Sequence, residues 1–134
     1  MRKKLNFASD QTSLWMVENL IDEATIELGI TKDSYGKILV STLEAVNNAI
    51  LHGNKSNPEK LVIFELTFVD NELSIIVEDE GEGFDPRKIP DPTKPENIEE
   101  CNGRGVYLMN HLADEIRYSE KGNVVTMTFK NIQH

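Results

Sequence analysis

Two neighbouring stretches of alternating residues constrain the fold of this chain most strongly. Apolar side chains occupy every second position of residues 62–68 and again of residues 73–77. Because successive side chains of a β-strand point to opposite faces, this alternation describes two strands with one buried face each. The intervening pair, Asp70 and Asn71, is typical of a tight turn. The pattern predicts an antiparallel β-hairpin.

Two amphipathic helices are predicted ahead of the hairpin. Residues 11–28 and about 33–51 both carry apolar side chains three or four positions apart, which places these side chains on one helical face. Each helix therefore needs a surface on which to bury that face. The candidate caps are Ser9 or Asp10 and Gly29 for the first helix, and Thr31 and Gly53 for the second.

The C-terminal part of the chain is predicted to contain a short helix at about 106–112 and strands near 116–118 and 124–129. Residues 80–103 contain four prolines and many charges. A connection of this length is either a functional lid or a passive surface loop. The order of the elements predicts an α+β fold, a two-layer α/β sandwich whose mostly antiparallel sheet has helices on one face and solvent on the other.

Composition narrows the functional classes. A length of 134 residues fits one domain covering residues 1–134, and no apolar run approaches the roughly 18 residues of a membrane span. Polar residues interrupt the segment after the charged residues 1–4, unlike a signal peptide, so we expect a cytoplasmic protein. The net charge of -9 disfavours direct nucleic-acid binding. The one cysteine, Cys101, cannot form an intrachain disulfide.

Three clusters of residues are candidates for chemistry. The first consists of Glu44 and Asn48, which lie four residues apart on the second predicted helix, away from its apolar stripe. They either face a ligand or belong to the solvated side of the helix. His52 continues this row, but a histidine at a helix end more often interacts with the helix dipole than acts in catalysis.

The second cluster is residues 79–83 (DEGEG), directly after a predicted strand. An ionised Asp79 can only accept hydrogen bonds, so it would select the exocyclic amine of adenine over the carbonyl of guanine. Gly81 and Gly83 would let the backbone approach the base closely. Acidic, glycine-rich turns are also common in ordinary loops, so this cluster alone does not decide the function.

The third cluster is Gly103, Arg104 and Gly105 at the start of the third predicted helix. Free backbone N–H groups and the helix dipole favour anions there, and Arg104 could add a charged contact to a phosphate. Two glycines before a helix are equally ordinary loop residues. The chain contains no Walker-type phosphate loop. A phosphate site in this chain would therefore need a different nucleotide fold.

The order and spacing of the three clusters resemble the N, G1 and G2 boxes of the GHKL (Bergerat-fold) ATPases and kinases. The matching segments are EAVNNAILHGN at 44–54, DEGEG at 79–83 and GRGVYLM at 103–109. Within that superfamily the chain is similar to the anti-sigma factor serine/threonine-protein kinases, although Asn102 stands where these often have glycine. The resemblance covers almost the whole chain and implies an ATP-binding domain.

The resemblance also implies a role for each matching residue. Asn48 would be a Mg²⁺ ligand, and Asp79 would accept the adenine amine. Glu44 would be the general base that takes a proton from a serine hydroxyl as it attacks the γ-phosphoryl group of ATP. The implied contacts around base and phosphates are Gly81, Gly83, Gly103, Arg104 and Gly105, and Thr126 on the last strand would support adenine through water.

Three functional hypotheses follow. The first is a kinase that binds ATP and Mg²⁺, phosphorylates a serine on a small anti-sigma factor antagonist and otherwise sequesters a sigma factor. The second is an ATP hydrolase in which Glu44 activates water. The third is an adaptor that binds ATP and a partner without turnover. The resemblance also implies a homodimer, whose surface the sequence does not specify.

Overall fold

The computed structural model of the chain describes residues 1–81 and 112–134. Within these ranges the chain forms five strands, two α-helices and two short helical turns. In order, they are β1 (Arg2–Ala8), a 3-10 turn (Gln11–Ser13), α1 (Leu14–Leu28), α2 (Lys32–Asn48), a π-helical turn (Ala49–Gly53), β2 (Leu61–Val69), β3 (Glu72–Glu78), β4 (Glu115–Tyr118) and β5 (Val124–Lys130). None of the helices in these ranges is long and apolar enough to cross a membrane.

The described strands form one sheet in the order β1-β2-β3-β5-β4, and every neighbouring pair is antiparallel. The predicted hairpin is confirmed as β2 and β3, which pair up to Val69 opposite Glu72. Asp70 and Asn71 between them both have positive φ, 54° and 64°. This combination matches a two-residue turn to the twist of the strands. The two strands predicted near the C-terminus are confirmed as β4 and β5.

Strand β1 is absent from the sequence-based prediction. It pairs with β2 along its whole length. Phe7 of β1 is buried in the core, whereas the ammonium group of Lys3, on the same face, lies 3.2 Å from the Glu27 carboxylate of α1. Charged residues protect a sheet edge from pairing with other chains. The same charges interrupt the hydrophobic alternation by which a strand is recognised in the sequence.

The helices begin and end close to the predicted caps. Asp10 Oδ1 accepts a hydrogen bond from Thr12 N at 2.9 Å, at the start of a 3-10 turn that precedes the α-helical part. Gly29 ends α1 in the left-handed conformation, with φ 68°. Thr31 Oγ1 accepts a hydrogen bond from Ser34 N at 3.2 Å and caps α2. Local capping therefore accounts for three of the four predicted helix ends: the start of the 3-10 turn that leads into α1, the end of α1 and the start of α2.

The end of α2 differs from the prediction. Regular α-helical geometry stops at Asn48, and a wider π-helical turn (Ala49–Gly53) follows instead of a helix that continues to residue 51. One of its closing hydrogen bonds runs from Asn54 N to Ala49 O at 2.8 Å. π-Helical turns are rare and frequently occur at functional sites. This one places Gly53 against the residues that follow β3.

The core lies between the two helices and one face of the sheet. Its largest fully buried side chains include Ile21, Ile38, Ile50, Phe64, Leu66, Leu73, Ile75 and Met127. The other face carries half-exposed and mostly polar side chains, such as Glu65, Thr67 and Thr128. The predicted α+β fold is thus confirmed, with an antiparallel sheet and helices on one face.

Replacing Gly36 by alanine should stabilise the protein. Gly36 lies within α2, and a Cβ added there would meet nothing within 4 Å. Because alanine has a much higher helix propensity than glycine, we expect Gly36→Ala to raise the free energy of unfolding by about 0.5–1 kcal/mol. Urea denaturation followed by circular dichroism measures this change.

Gly29→Ala is the matched control. Its Cβ would also meet nothing within 4 Å, but the backbone at Gly29 has φ +68°. A left-handed conformation costs a non-glycine residue about 1–2 kcal/mol, so this variant should be less stable than the wild type. Equal effects of the two substitutions would contradict the helix limits described above.

Candidate functional site

Asp79 lies where the end of β3 meets the end of α2. It directly follows β3 and is only 9% exposed. The turn before β5 fixes its backbone, because Asp79 N donates to Asn123 O at 2.9 Å and Asn123 Nδ2 donates to Asp79 O at 3.1 Å. The strand-end carboxylate expected from the sequence is therefore buried and held in place.

Two glycines enclose the Asp79 carboxylate so closely that neither has room for a side chain. A Cβ on Gly53 would lie 2.2 Å from Asp79 Oδ2, and a Cβ on Gly81 would lie 1.8 Å from Gly53 O. Gly81 N donates to Asp79 Oδ1 at 2.8 Å. Within residues 1–81 and 112–134, no hydrogen bond reaches Oδ2. Among the described residues, Oδ1 thus holds the loop, and Oδ2 has no hydrogen-bond donor.

Burial raises the pKa of the Asp79 carboxyl above its usual value. Desolvation is the largest cause, because a low-dielectric environment disfavours the charged form. The hydrogen bond from Gly81 N and the positive charges of Lys121 and Lys60 oppose this rise, whereas Glu78 adds to it. A further hydrogen-bond donor would therefore stabilise the ionised carboxylate, and Oδ2 is suited to accept such a hydrogen bond from a bound molecule.

Glu44 and Asn48 lie one turn apart on α2, and both side chains are half-buried. The neighbouring Asn47 Oδ1 accepts a hydrogen bond from Gln11 Nε2 at 3.1 Å, which ties this part of α2 to the turn before α1. The π-helical turn continues from Asn48 to Gly53, which contacts Asp79. Two of the three predicted clusters are therefore connected by one continuous helical segment.

The oxygen donors of α2 fit Mg²⁺ held jointly with a phosphorylated ligand. Asn48 offers an amide oxygen, a hard ligand of the type that Mg²⁺ prefers, and the carboxylate of Glu44 lies one turn away. In the described part of the chain, no group of three or more His, Cys, Asp or Glu side chains could hold a metal ion by itself. Mg²⁺ commonly takes one or two protein oxygens and completes its shell with phosphate oxygens and water. The donor set is compatible with that arrangement.

The structure does not bring Thr126 to the Asp79 carboxylate. Thr126 lies between two buried residues of β5 and pairs with Ile76, so its side chain points to the sheet face away from the helices. Gly53 encloses Asp79 from the helix side. The expected role of Thr126, support of adenine through water, therefore gains no support from its position on the sheet. Asn123, just before β5, is the residue of this region that contacts Asp79.

Several predicted features lie outside the described residues. They are the site residues Gly83, Gly103, Arg104 and Gly105, together with Cys101, all but the last residue of the helix expected at about 106–112, and the greater part of the expected lid. Their roles stay predictions from the sequence.

Asn54 and Asn123 contribute to the site although the sequence patterns gave them no role. Asn54 Oδ1 accepts a hydrogen bond from Glu80 N at 2.8 Å, across 26 positions of the chain. In the sequence, Asn54 ends the segment that resembles the N box, but the resemblance implied no role for it. Helical and strand periodicities do not reveal that this helix end touches a strand end so far along the chain, so no local signal could have found these contacts.

Comparison with known proteins identifies the family. A family model described as the histidine kinase-like ATPase domain matches residues 7–129. The chain belongs to this family. The match extends from β1 to β5 and confirms the resemblance based on the three clusters.

Relatives of this histidine kinase-like ATPase domain include curated bacterial regulators. The anti-sigma F factor of Clostridium perfringens is 34% identical over 109 residues, which are 78% of this chain and 76% of that protein. The serine-protein kinase RsbW of Staphylococcus aureus is 33% identical over 110 residues, 75% of this chain and 68% of that protein. RsbW of Oceanobacillus iheyensis is 27% identical over 111 residues, 78% and 70% of the two chains.

Solved structures share the fold. The RsbU and RsbW domains of Rv1364c from Mycobacterium tuberculosis match with a TM-score of 0.70 and 16% identity, over 97% of this chain and 32% of that chain. The histidine kinase domain of the blue-light activated kinase EL346 from Erythrobacter litoralis matches with a TM-score of 0.57 and 16% identity, over 91% and 60%. This histidine kinase-like ATPase domain thus spans only part of both chains, and the likeness shows the fold.

Gly81→Ala should weaken nucleotide binding strongly while leaving most of the fold intact. The new methyl group would lie 1.8 Å from Gly53 O, a backbone atom, so the residues after β3 must move and carry the Asp79 carboxylate with them. We expect ATP affinity to fall by at least about 100-fold, since the predicted acceptor of the adenine amine is displaced. Isothermal titration calorimetry measures the affinity, with Gly36→Ala as the control. Wild-type affinity in Gly81→Ala would contradict the close contact.

Asp79→Asn should become increasingly more stable than the wild type as the pH rises, in the absence of ligand. The raised pKa means that the folded state binds more protons than the unfolded state between the usual pKa and the raised one. Wild-type stability therefore falls as the pH rises through this window, and the neutral amide removes that loss. The stability difference between variant and wild type should grow across the window and then level off, as measured by urea denaturation. A difference that is independent of pH would contradict the burial of the charge.

Proposed function

We propose that this protein is an ATP-dependent serine kinase that phosphorylates a small antagonist protein and otherwise sequesters a sigma factor. The observation that carries the proposal is the buried Asp79 carboxylate enclosed by Gly53 and Gly81. Glu44 and Asn48 lie on the helical segment that leads to it. Relatives named anti-sigma F factor and serine-protein kinase RsbW, 34% and 33% identical, support the same function. In this proposal residues 1–134 act as one ATP-binding domain.

Selectivity for ATP rests on the two oxygens of Asp79. Oδ1 already accepts the Gly81 N–H at 2.8 Å. Oδ2 then accepts a hydrogen bond from the exocyclic amine of adenine. Guanine presents a carbonyl oxygen at the same place. This oxygen and Asp79 Oδ2 are both hydrogen-bond acceptors, so they would repel each other. Because Gly81 has no side chain, the base can approach the loop closely.

Phosphotransfer uses Glu44 as the general base. Its carboxylate takes the proton of the acceptor serine hydroxyl while the serine oxygen forms a bond to the γ-phosphorus of ATP. The bond from the γ-phosphorus to the bridging oxygen breaks, and ADP leaves with that electron pair. Asn48, one turn further along α2, would hold Mg²⁺, which would offset the charge of the phosphates.

The remaining contacts of the proposed site come from residues known only from the sequence. They are the backbone groups of Gly83, Gly103 and Gly105 and the guanidinium group of Arg104, which would surround the base and the phosphates. A helix start with free N–H groups suits this role.

The proposed partners are an anti-sigma factor antagonist with an acceptor serine and a sigma factor. Phosphorylation adds roughly two negative charges to the antagonist. Because this protein itself has a net charge of -9, repulsion would favour release of the phosphorylated antagonist. A sigma factor acts on transcription, so we place the protein in the cytoplasm, and we propose that it is a homodimer.

Glu44→Gln should remove phosphotransfer but keep ATP binding. The amide cannot take up the serine proton, so we expect the transfer rate to fall by about 100-fold to 10,000-fold, while the dissociation constant for ATP changes by less than about fivefold. Transfer of labelled phosphate from ATP to the candidate antagonist measures the rate. Glu18→Gln, an exposed glutamate of α1, is the control and should keep full activity.

The same assay separates the competing functions. Phosphate release that does not depend on an antagonist would favour an ATP hydrolase, with Glu44 activating water. ATP binding without turnover under any condition would favour an adaptor. Absence of ATP binding by the wild type would overturn the proposed function altogether.

A further inference from the structure

Asn54 is a buried amide whose hydrogen bonds join three separate parts of the chain. Asn54 is only 1% exposed. Nδ2 donates to Ser9 Oγ at 2.7 Å and to Leu61 O at 2.9 Å, while Oδ1 accepts from Glu80 N at 2.8 Å. Both amide hydrogens and the oxygen are therefore engaged, in an arrangement that fits the geometry of asparagine.

The bond to Glu80 N bears directly on the candidate site. Glu80 lies between Asp79 and Gly81, and we call these three residues the Asp79 loop. The carboxylate of Glu80 adds a second attachment, since Oε2 accepts a hydrogen bond from Leu61 N at 3.2 Å. The middle of the Asp79 loop is thus held from the end of α2 and from the start of β2.

The backbone around Asn54 supports this arrangement. Asn54 itself has φ -94° and ψ 0°, and the next two residues, Lys55 and Ser56, have positive φ of 51° and 56°. Two successive non-glycine residues in the left-handed region are unfavourable unless the surroundings enforce them. The three side-chain bonds of Asn54 hold the chain at this point, together with the backbone hydrogen bonds from Asn54 N to Ala49 O at 2.8 Å and from Ser56 N to Ile50 O at 2.7 Å.

We propose that Asn54 is a positioning residue for nucleotide recognition. Its side chain holds the Asp79 loop through the hydrogen bond from Glu80 N and so sets the direction of the Asp79 carboxylate. The inference rests on the proposed function and extends it to a residue that does not touch the nucleotide. Without the Oδ1 acceptor, the Glu80 N–H would lose the partner that it has in this structure, and the Asp79 loop would be free to move. That movement would reorient Asp79 and weaken the discrimination between ATP and GTP.

Ser9 offers a matched control. It is 3% exposed, and its hydroxyl donates to Lys60 O at 2.7 Å and accepts from Asn54. Ser9→Ala removes buried hydrogen bonds at the far side of Asn54 but leaves the bond to Glu80 N. It should therefore lower stability much as Asn54→Ala does, without a change in nucleotide selectivity.

The experiment compares wild type, Asn54→Ala and Ser9→Ala. Calorimetry with ATP and with GTP in the presence of Mg²⁺ gives the selectivity of each protein. We expect Asn54→Ala to bind ATP about tenfold more weakly and to lose a similar factor in its preference for ATP over GTP. Ser9→Ala should stay within about twofold of the wild type in both. If Asn54→Ala does not fold, Asn54→Asp keeps an oxygen for Glu80 N and should retain the selectivity while losing stability.

A second measurement uses the protein without nucleotide. Amide hydrogen exchange at Glu80, followed by NMR, should be at least about tenfold faster in Asn54→Ala than in wild type and unchanged in Ser9→Ala. Unchanged exchange at Glu80, or equal loss of selectivity in the two variants, would overturn the positioning role. If the wild type binds no ATP, the proposed function fails, whereas the exchange measurement still decides whether Asn54 holds the loop.

Discussion

The close approach of Gly53 to Asp79 and Gly81 is the contact on which the rest of the site depends. It joins the end of a helix to the end of a strand 26 residues later, measured from Asp79 back to Gly53. The approach requires α2 to pack on the sheet and β3 to be an inner strand of it. It also requires the π-helical turn, which brings Gly53 into contact with the residues after β3. A side chain at either glycine would separate the two elements.

This contact also explains why an unfavourable charge is tolerated. Burial of the Asp79 carboxylate raises its pKa and therefore costs stability at neutral pH. Hydrogen bonds from Gly81 and from Asn123 hold the residue in place, and the large apolar core beneath the helices supplies the stability that the site lacks. A polar group fixed before a ligand arrives loses little freedom on binding, which favours affinity and selectivity.

The sequence predicts those features that depend on neighbouring residues. Asp70 and Asn71 determine their own turn, Gly29 ends its own helix, and the spacing of Glu44 and Asn48 already places them on one side of α2. The position of Asp79 at a strand end is likewise local. Features that depend on contacts distant in sequence escaped prediction: the edge strand β1, the π-helical turn, and the amide of Asn54. The role of Thr126 was implied by the resemblance alone, whereas its position between two buried residues of β5 places its side chain on the face away from the helices.

The most direct test of this account is a crystal structure of the protein with Mg²⁺ and a non-hydrolysable ATP analogue. We expect the exocyclic amine of adenine to lie within hydrogen-bonding distance of Asp79 Oδ2, with the contacts among Gly53, Asp79 and Gly81 as they are without ligand. Adenine bound elsewhere, or an Asp79 loop rebuilt around it, would contradict the claim that this junction is a preformed adenine site.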